Sequence, residues 1–504
     1  MTPAPTMTPE QLMSLRATFR SPRRLLTESL AGLVVALALI PEAIAFSVIA
    51  GVDPRIGLFA SFTMGVVTAL VGGRPAMISA ATGAVALVIA PVMKEHGLDY
   101  LIATIILAGV FQIILAALGV TRLMRFIPRS VMIGFVNALA ILVFMSQMPE
   151  LFNVPWMVYP IVAVGLAIVF LLPRVTKAVP APLVAIVLLT LVTGLGGIDV
   201  PTVSDKGELP DSLPGLFVPN VPLNLETFQI IAPFALSMAL VGLLESLMTA
   251  KLVDDITDTR SNKTRVSWGQ GAANIVTGFL GGLGGCAVIG QTMINVKGSG
   301  ARSRLSTFLA GVFLLILVVV LGDVVGMIPM AALVAVMIFV SLITFDWHSV
   351  RPATLKRLPK SETAVMILTV AAVVATHNLA VGVGVGVLAA SVLFARRVAH
   401  FVTVERTELE LNDETVATYT VDGELFFASS NDLYTQFDYA KDSSEGIDRV
   451  IIDLHGSHIW DASSVSVLDS VTEKYRNHGR EVEFIGLNEA SVRMRERLAG
   501  KLNS

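Results

Sequence analysis

Two carboxylates, Glu42 and Glu245, stand inside long runs of apolar residues. An ionisable side chain at the centre of a hydrocarbon layer costs at least ~2.5 kcal/mol on insertion scales, so it implies a cavity, a partner or a carried charge. Pro41 precedes Glu42 and lacks an amide hydrogen, which leaves a helical carbonyl one turn earlier unpaired beside the acid. Thr249 lies one turn beyond Glu245, with Ser246 one residue round, so an acid and two hydroxyls crowd one side of a helix. Such oxygens suit a Na⁺ ion, and they equally suit a protonated Glu hydrogen-bonded to Thr. Glu42, Glu245 and Thr249 are therefore the ion-coupling candidates.

A second kind of chemistry resides in the backbone. Ser79, Ala80, Ala81 and Thr82 follow Gly72, Gly73 and Pro75, while Gly285, Cys286, Ala287 and Val288 end a stretch that holds Gly281, Gly282 and Gly284. A continuous helix disfavours that density of glycine. A half-helix that begins in mid-membrane aims unpaired N–H groups and the positive end of its dipole at whatever lies in front. Two opposed starts make a site for negative charge, small side chains let a ligand reach the backbone, and Thr82 adds a hydroxyl donor. The substrate-binding candidates are Glu42, Ala81, Thr82, Cys286, Ala287 and Val288.

The elements that must position these residues are spanning helices. The 504-residue chain is 54% hydrophobic and 15% charged, with a mean hydropathy of +0.74, too apolar for water to be its main solvent. Period-two alternation is lacking, so a β-barrel is not expected and the helix satisfies the spanning backbone. Crossings are expected at 26–50, 56–72, 78–92, 101–119, 131–148, 156–173 and 181–197, then at 229–250, 267–283, 287–297, 304–321, 329–345, 361–376 and 378–395. The third and tenth are the glycine-interrupted ones, each third in a set of seven. Because seven is odd, the two sets lie in opposite orientation, an inverted repeat of 7+7 segments over 26–197 and 229–395. Ile127-Pro128 and Ile328-Pro329 open matching segments. Glu42 and Glu245 then occupy matching first helices.

With a cytoplasmic N-terminus, only Arg55, Lys94 and Lys206 of the 26 Lys and Arg before position 400 fall outside, and 23 fall inside. Residues 1–25 form a cytoplasmic segment without a signal-peptide pattern, and 26–395 form the membrane domain. After Arg396 and Arg397 the sequence turns polar, with a linker over 396–415 and a small α/β domain over 416–504. Strands are expected at Thr418 to Val421 and Arg449 to Leu454, and an amphipathic helix at Ser463 to Arg476. The single cysteine, Cys286, excludes an internal disulfide and a cysteine-based metal site. No G-x-x-x-x-G-K-[ST] motif is present for ATP drive.

Several motifs in order resemble the SulP sulfate-permease family of anion transporters. Ile40-Pro41-Glu42-Ala43-Ile44-Ala45-Phe46 resembles the family's first-helix motif, and Gly57-Leu58-Phe59-Ala60-Ser61-Phe62 resembles the one that follows. Gly269-Gln270-Gly271-Ala272-Ala273-Asn274 matches G-Q-G-x-A-N, and Gln291-Thr292-Met293-Ile294-Asn295 sits where R-T-x-x-N is usual. The resemblance implies core and gate domains, two half-helices, a substrate between the first, third, eighth and tenth helices, and elevator-like movement. It also implies a multi-pass protein of a bacterial inner membrane, both termini cytoplasmic, and a homodimer. Asp422-Gly423-Glu424-Leu425-Phe426-Phe427 and Asp461-Ala462-Ser463-Ser464 resemble the STAS domain, in which Ser463 aligns with a regulatory phosphorylation site.

Two departures from the family pattern matter. Glu42 stands where many members have Gln, and Gln291 where many have Arg, so each makes the anion site one unit less positive. A proton on Glu42 or Glu245 is the simplest compensation. The expected function is therefore secondary active transport of a small anion, such as a C4-dicarboxylate, bicarbonate or sulfate, with a co-transported proton. Na⁺-coupled uptake, a passive anion channel and a membrane-anchored signalling module are the other readings. No enzyme activity, cofactor, metal site or nucleic-acid partner is expected; the lipid bilayer is the medium.

The basic-residue bias makes a direct prediction. With Cys286 replaced, a cysteine placed at Ser504 resists an impermeant maleimide in intact cells, whereas one placed at Lys206 reacts. Reversed labelling would sink the topology.

Overall fold

The computed structural model describes residues 14–119, 127–175, 181–209, 212–399, 402–411 and 414–501. Most of the expected N-terminal segment and residues 400–401 and 412–413 of the expected linker lie outside them. The chain divides into two compact units, Met1–Val387 and Leu388–Ser504.

The first unit is helical because its apolar runs must pair every backbone group internally. Its main elements are α1 (Pro22–Ala50), α2 (Pro54–Val71), β1 (Ser79–Ala80), α3 (Gly83–His96), α4 (Leu98–Ala117), α5 (Arg129–Ser146), α6 (Val158–Val175) and α7 (Ala181–Gly196). The second set comprises α8 (Leu225–Thr257), α9 (Lys263–Phe279), β2 (Cys286–Ala287), α10 (Ile289–Met293), α11 (Arg304–Val320), α12 (Met330–Thr344), α13 (Lys360–Thr376) and α14 (Leu379–Ala399). Each expected crossing corresponds to one of these helices. Seven of the described helices are long and apolar enough to span a membrane, and the third and tenth segments are broken as the glycines suggested. In both, a two-residue strand precedes a short helix, and α10 runs on as a π turn, Ile294–Gly298.

Packing sorts the helices into two bundles. α1–α4 pack with α8–α11, while α5, α6 and α7 pack with α12 and α13; α1 and α3 touch both groups. Gly109 on α4 faces Gly271 on α9 so closely that a Cβ on either would lie 2.6 Å from the other's carbonyl oxygen. Small residues let two membrane helices approach to backbone contact, where dispersion replaces the missing hydrophobic drive. Between α1 and α11 the link is polar: the buried Glu28 accepts from the amides of Arg302, Ser303 and Ser306, capping the start of α11.

A strap between α7 and α8 reaches both bundles at one end. Val203 and Met330 exchange backbone bonds with Ile328 and Pro201 beside α12. Further along, Lys206 pairs with Glu150 at 2.8 Å, and Glu208 pairs with Arg55 at the α1–α2 turn. The amide and hydroxyl of Thr202 hold Asp205 below the usual carboxylate range.

In the second unit, β3 (Thr403–Leu411), β4 (Glu414–Leu425), β5 (Arg449–Asp453) and β7 (Glu481–Ile485) form a sheet in the order β3-β4-β5-β7, with β6 (Ser457–Ile459) beside β4. β3 is antiparallel to β4, and the other pairs are parallel. The helices are α15 (Phe427–Thr435), α16 (Tyr439–Ser444), α17 (Ala462–Asn477) and α18 (Glu489–Leu498). The expected linker needs correction: 396–415 holds the end of α14, all of β3 and the start of β4. Thr403 to Leu411 alternates a polar face with a half-apolar one, a weak strand signal that only pairing with β4 makes firm. Asp442 is fully buried and accepts from Arg406, Tyr419 and Tyr475 at 2.8, 2.6 and 2.7 Å. Burial raises both tyrosine hydroxyls above their ordinary range, so they remain donors.

The strand crossing sets the tightest tolerance between one backbone and another. A Cβ at Gly285 would lie 1.9 Å from the Ala80 carbonyl oxygen, whereas one at Gly290 meets nothing within 4 Å. Gly285→Ala should cost more than ~3 kcal/mol, the scale of severe overpacking and strain. Gly290→Ala should leave the melting temperature of purified protein nearly unchanged. Equal melting of the two variants would contradict this.

Candidate functional site: the cavity at the strand crossing

β1 and β2 cross in the middle of the helices, antiparallel, with Ser79 opposite Ala287 and Ala80 opposite Cys286. Two-residue strands leave most of their neighbours' polar groups unpaired, and a buried orphan is expensive. Side chains from the surrounding helices meet that need. Asn274 donates to the Gly285 carbonyl at 3.0 Å and accepts from the Gly285 amide at 2.8 Å. Gln270 donates to Ser79 at 2.7 Å, Ser246 accepts from the Ala287 amide at 3.1 Å, and Ser61 accepts from the Ala81 amide at 3.3 Å. Thr292 accepts from the Ile78 amide at 3.0 Å.

In front of this crossing, between the two bundles, lies a cavity of about 510 Å³. One wall consists of Glu42 and Phe46 on α1, Thr82 to Ala84 at the start of α3, Glu245 on α8, and Val288 to Gln291 at the start of α10. The other is apolar, drawn from α5, α6, α7 and α12, with Phe135 and Phe339 among its larger side chains. Glu42 and Glu245 are the only ionisable groups among the described residues lining it; no Lys, Arg or His does.

Positive potential therefore comes from the backbone. Thr82 caps α3, its hydroxyl accepting from the Val85 amide at 3.4 Å. That leaves the amides of Gly83 and Ala84 without an intrahelical acceptor, and the amides of Ile289 and Gly290 stand in the same position on α10. All four residues line the cavity.

Two hydrogen-bonded chains join the acids to this frame. Gln291 Nε2 donates to Glu42 Oε1 at 2.7 Å. Cys286 Sγ donates to Glu245 Oε2 at 2.9 Å and lies 3.2 Å from the Thr82 hydroxyl. Thr249 does not join them: its hydroxyl donates to the backbone carbonyl of Glu245 at 2.8 Å.

Of the candidate residues, Glu42, Thr82, Glu245 and Val288 line the cavity, while Ala81, Cys286, Ala287 and Thr249 are buried one layer behind it. Ala81 and Ala287 pack into apolar clusters, and Cys286 serves as the bridge between Thr82 and Glu245. Sequence reasoning overlooked the positioning work of Gln270 and Asn274. A signal was present, since amides inside a Gly/Ala-rich helix have little reason to be there unless they bond to backbone. In the second unit, Ser463 is exposed at the second position of α17, whose N-cap is Asp461.

The open space at Gly290 offers a test of the cavity. Gly290→Phe projects a ring toward it without a backbone clash, so the variant should fold and purify as a single species while anion uptake into proteoliposomes drops at least tenfold. Wild-type uptake would remove the start of α10 from the site.

The sequence matches the sulfate permease family over residues 25–164 and 153–369, and the STAS domain over 407–500. YbaR of Bacillus subtilis (strain 168), which carries a provisional sulfate-transporter name, is 50% identical over 93% of this chain and 96% of its own length. The bicarbonate transporter BicA of Picosynechococcus is 26% identical over 93% of this chain and 89% of its own. The murine Slc26a9 anion transporter in its inward-facing state shares the fold at a TM-score of 0.79 and 16% identity, over 95% of this chain and 88% of that one. The family match over most of the chain and the 50% identity to a full-length relative carry the conclusion: the chain is a multi-pass membrane transporter of the sulfate permease family with a STAS domain, and not an enzyme.

Proposed function

We propose that the protein is a secondary active transporter that moves a small anion together with a proton, and that Glu42 carries the proton. The observation that supports this most is the composition of the cavity wall: two carboxylates, the first residues of α3 and α10, and no basic residue among the described ones. An ionised Glu42 about 5 Å from a monoanion repels it by ~3 kcal/mol at an effective dielectric near 20. That is roughly a hundredfold in affinity. Protonation removes the repulsion, so anion and proton bind together and leave together. Sulfate and bicarbonate, which appear in the names of relatives, are the first substrates to try, with C4-dicarboxylates next.

The charge bias puts the ends of α6, α7 and α12 that reach the cavity, at Pro173, Pro182 and Thr344, on the cytoplasmic side. In this reading the protein sits in a bacterial inner membrane as a homodimer, faces inward, moves its α1–α4 and α8–α11 bundle as an elevator, and uses the STAS domain for regulation. The Na⁺ alternative centres on Glu245 and Thr249. Cys286, and not Thr249, is the hydrogen-bond partner of the Glu245 carboxylate, which favours the proton.

The sign of the effect is fixed: uptake rises as external pH falls, and an inward proton gradient drives accumulation. Glu42→Gln should still exchange labelled anion at 30% or more of the wild-type rate but lose pH-driven accumulation. If Glu42→Gln still concentrates the anion while Glu245→Gln does not, coupling belongs to α8. If only a Na⁺ gradient drives uptake, the proton reading fails.

A further inference from the structure

Gln291 is buried, at 3% exposure, and lines the cavity with Glu42. Its Nε2 is committed to Glu42, and its Oε1 is buried with no hydrogen-bond partner among the described residues. A side-chain amide is a donor at one end and an acceptor at the other, and half a turn about its last bond exchanges them. The arrangement thus satisfies an ionised Glu42 at the expense of an orphaned carbonyl, which buried polar groups rarely tolerate without a function.

We infer that Gln291 is a proton-operated donor switch, turning end for end so that protonation of Glu42 presents an N–H to the anion. This rests on the reading of Glu42 as the proton carrier. While Glu42 is ionised it can only accept, so Nε2 must face it, with one of its two N–H bonds held by the carboxylate. When a proton from solution binds Glu42, the new O–H donates to Gln291 Oε1, pairing the orphan. Nε2 is then released from Glu42, and a turn of the side chain that carries it from the closed Oε1 position to the cavity lets it donate to an oxygen of the anion. On release the order reverses: the proton leaves Glu42, the carboxylate recaptures Nε2, and the anion loses a hydrogen bond as it regains a repulsive charge. Gln291 is a positioning and specificity residue in this scheme, and its neutrality is what makes it switchable. An Arg at the same place would donate in every protonation state and could not report on Glu42.

Other ionisable groups near Glu42 do not mimic the effect in the structure. Glu245 on α8 is the second acid of the wall and is held by Cys286 on β2. Glu28, on α1 itself, is tied to the start of α11, and Lys297 on the π turn is exposed. α3, α5, α6, α7 and α12 contribute no charged side chain to the wall.

The test is a binding measurement on purified full-length protein, with labelled sulfate, which keeps its charge throughout, as the probe across pH 5.5 to 8.5. Gln291→Met keeps the side chain's length and removes both polar ends. The switch predicts that it lowers affinity about tenfold at the acid end, the scale of one lost hydrogen bond, with little change at the alkaline end. A residue that merely steadies the ionised, repelling Glu42 gives a different pattern, unchanged affinity at the acid end and tighter binding at the alkaline end, because its removal favours the protonated acid, and that result overturns the switch. No loss at any pH overturns it too. In a Glu42→Gln background the same substitution should cost about tenfold at every pH. If wild-type affinity does not vary with pH, the Glu42 reading itself fails. If it varies and flattens in Glu42→Gln while Gln291→Met keeps full acid-end affinity, only the switch fails. Infrared difference spectra of the wild type keep the question open to test should Gln291→Met misfold. Acidification should produce a carboxyl band lost in Glu42→Gln together with a side-chain amide change; the carboxyl band without the amide change overturns the proposal.

Discussion

Everything at the site depends on a stretch of backbone that is neither helix nor sheet at a depth where neither water nor lipid can satisfy it. Irregular chain survives in that position only when protein or a polar cavity meets its hydrogen bonds. Here β1 and β2 give each other a minimal ladder, and Asn274, Gln270, Ser246, Ser61 and Thr292 supply the rest. The reward is chemical: α3 and α10 begin in the interior, and their first residues line the cavity. Fixed partial charges of this kind attract an anion without any side chain that a counter-ion could neutralise.

That constraint explains the division between positioning residues and cavity residues. Gly285 has no room for a side chain because Ala80 occupies the space, and Ala287 is enclosed by Met77, Leu247, Ala250 and Val266. Rigid packing there fixes the directions of Thr82 and of the α10 start. The acids sit on long helices, α1 and α8, whose many turns hold them firmly against the crossing. Chemistry and support thus come from different elements, and the cavity's far wall needs only to be apolar and of the right shape.

The membrane architecture was legible because it follows from strong local signals. Apolar runs set the helices, glycine clusters marked the two broken segments, and isolated carboxylates stood out against their surroundings. What could not be read were pairings between residues far apart in the chain. The family resemblance put Gln291 and Glu42, 249 positions apart, at one anion site, but nothing local states that the amide bonds directly to the acid. The bridge from Thr82 through Cys286 to Glu245 is equally invisible, since a cysteine among alanines reads as filler. Ala81 and Ala287 were legible as neighbours of the half-helix starts, but spacing alone could not say which side of a two-residue strand meets the cavity. The strand at Thr403 escaped for another reason: an edge strand's pattern is weak until its partner is known.

The strap between α7 and α8 carries a consequence for kinetics. Its ion pairs, Lys206 with Glu150 and Arg55 with Glu208, are partly solvated, with side-chain exposures from 20% to 72%. Such pairs are weak singly and are screened by dissolved salt within a Debye length of about 8 Å at physiological ionic strength. Any rearrangement that parts the two bundles at that end must release them. A transport step that parts the bundles there would have a barrier open to the medium bathing the strap, and so to ionic strength, independently of how tightly the cavity holds its anion.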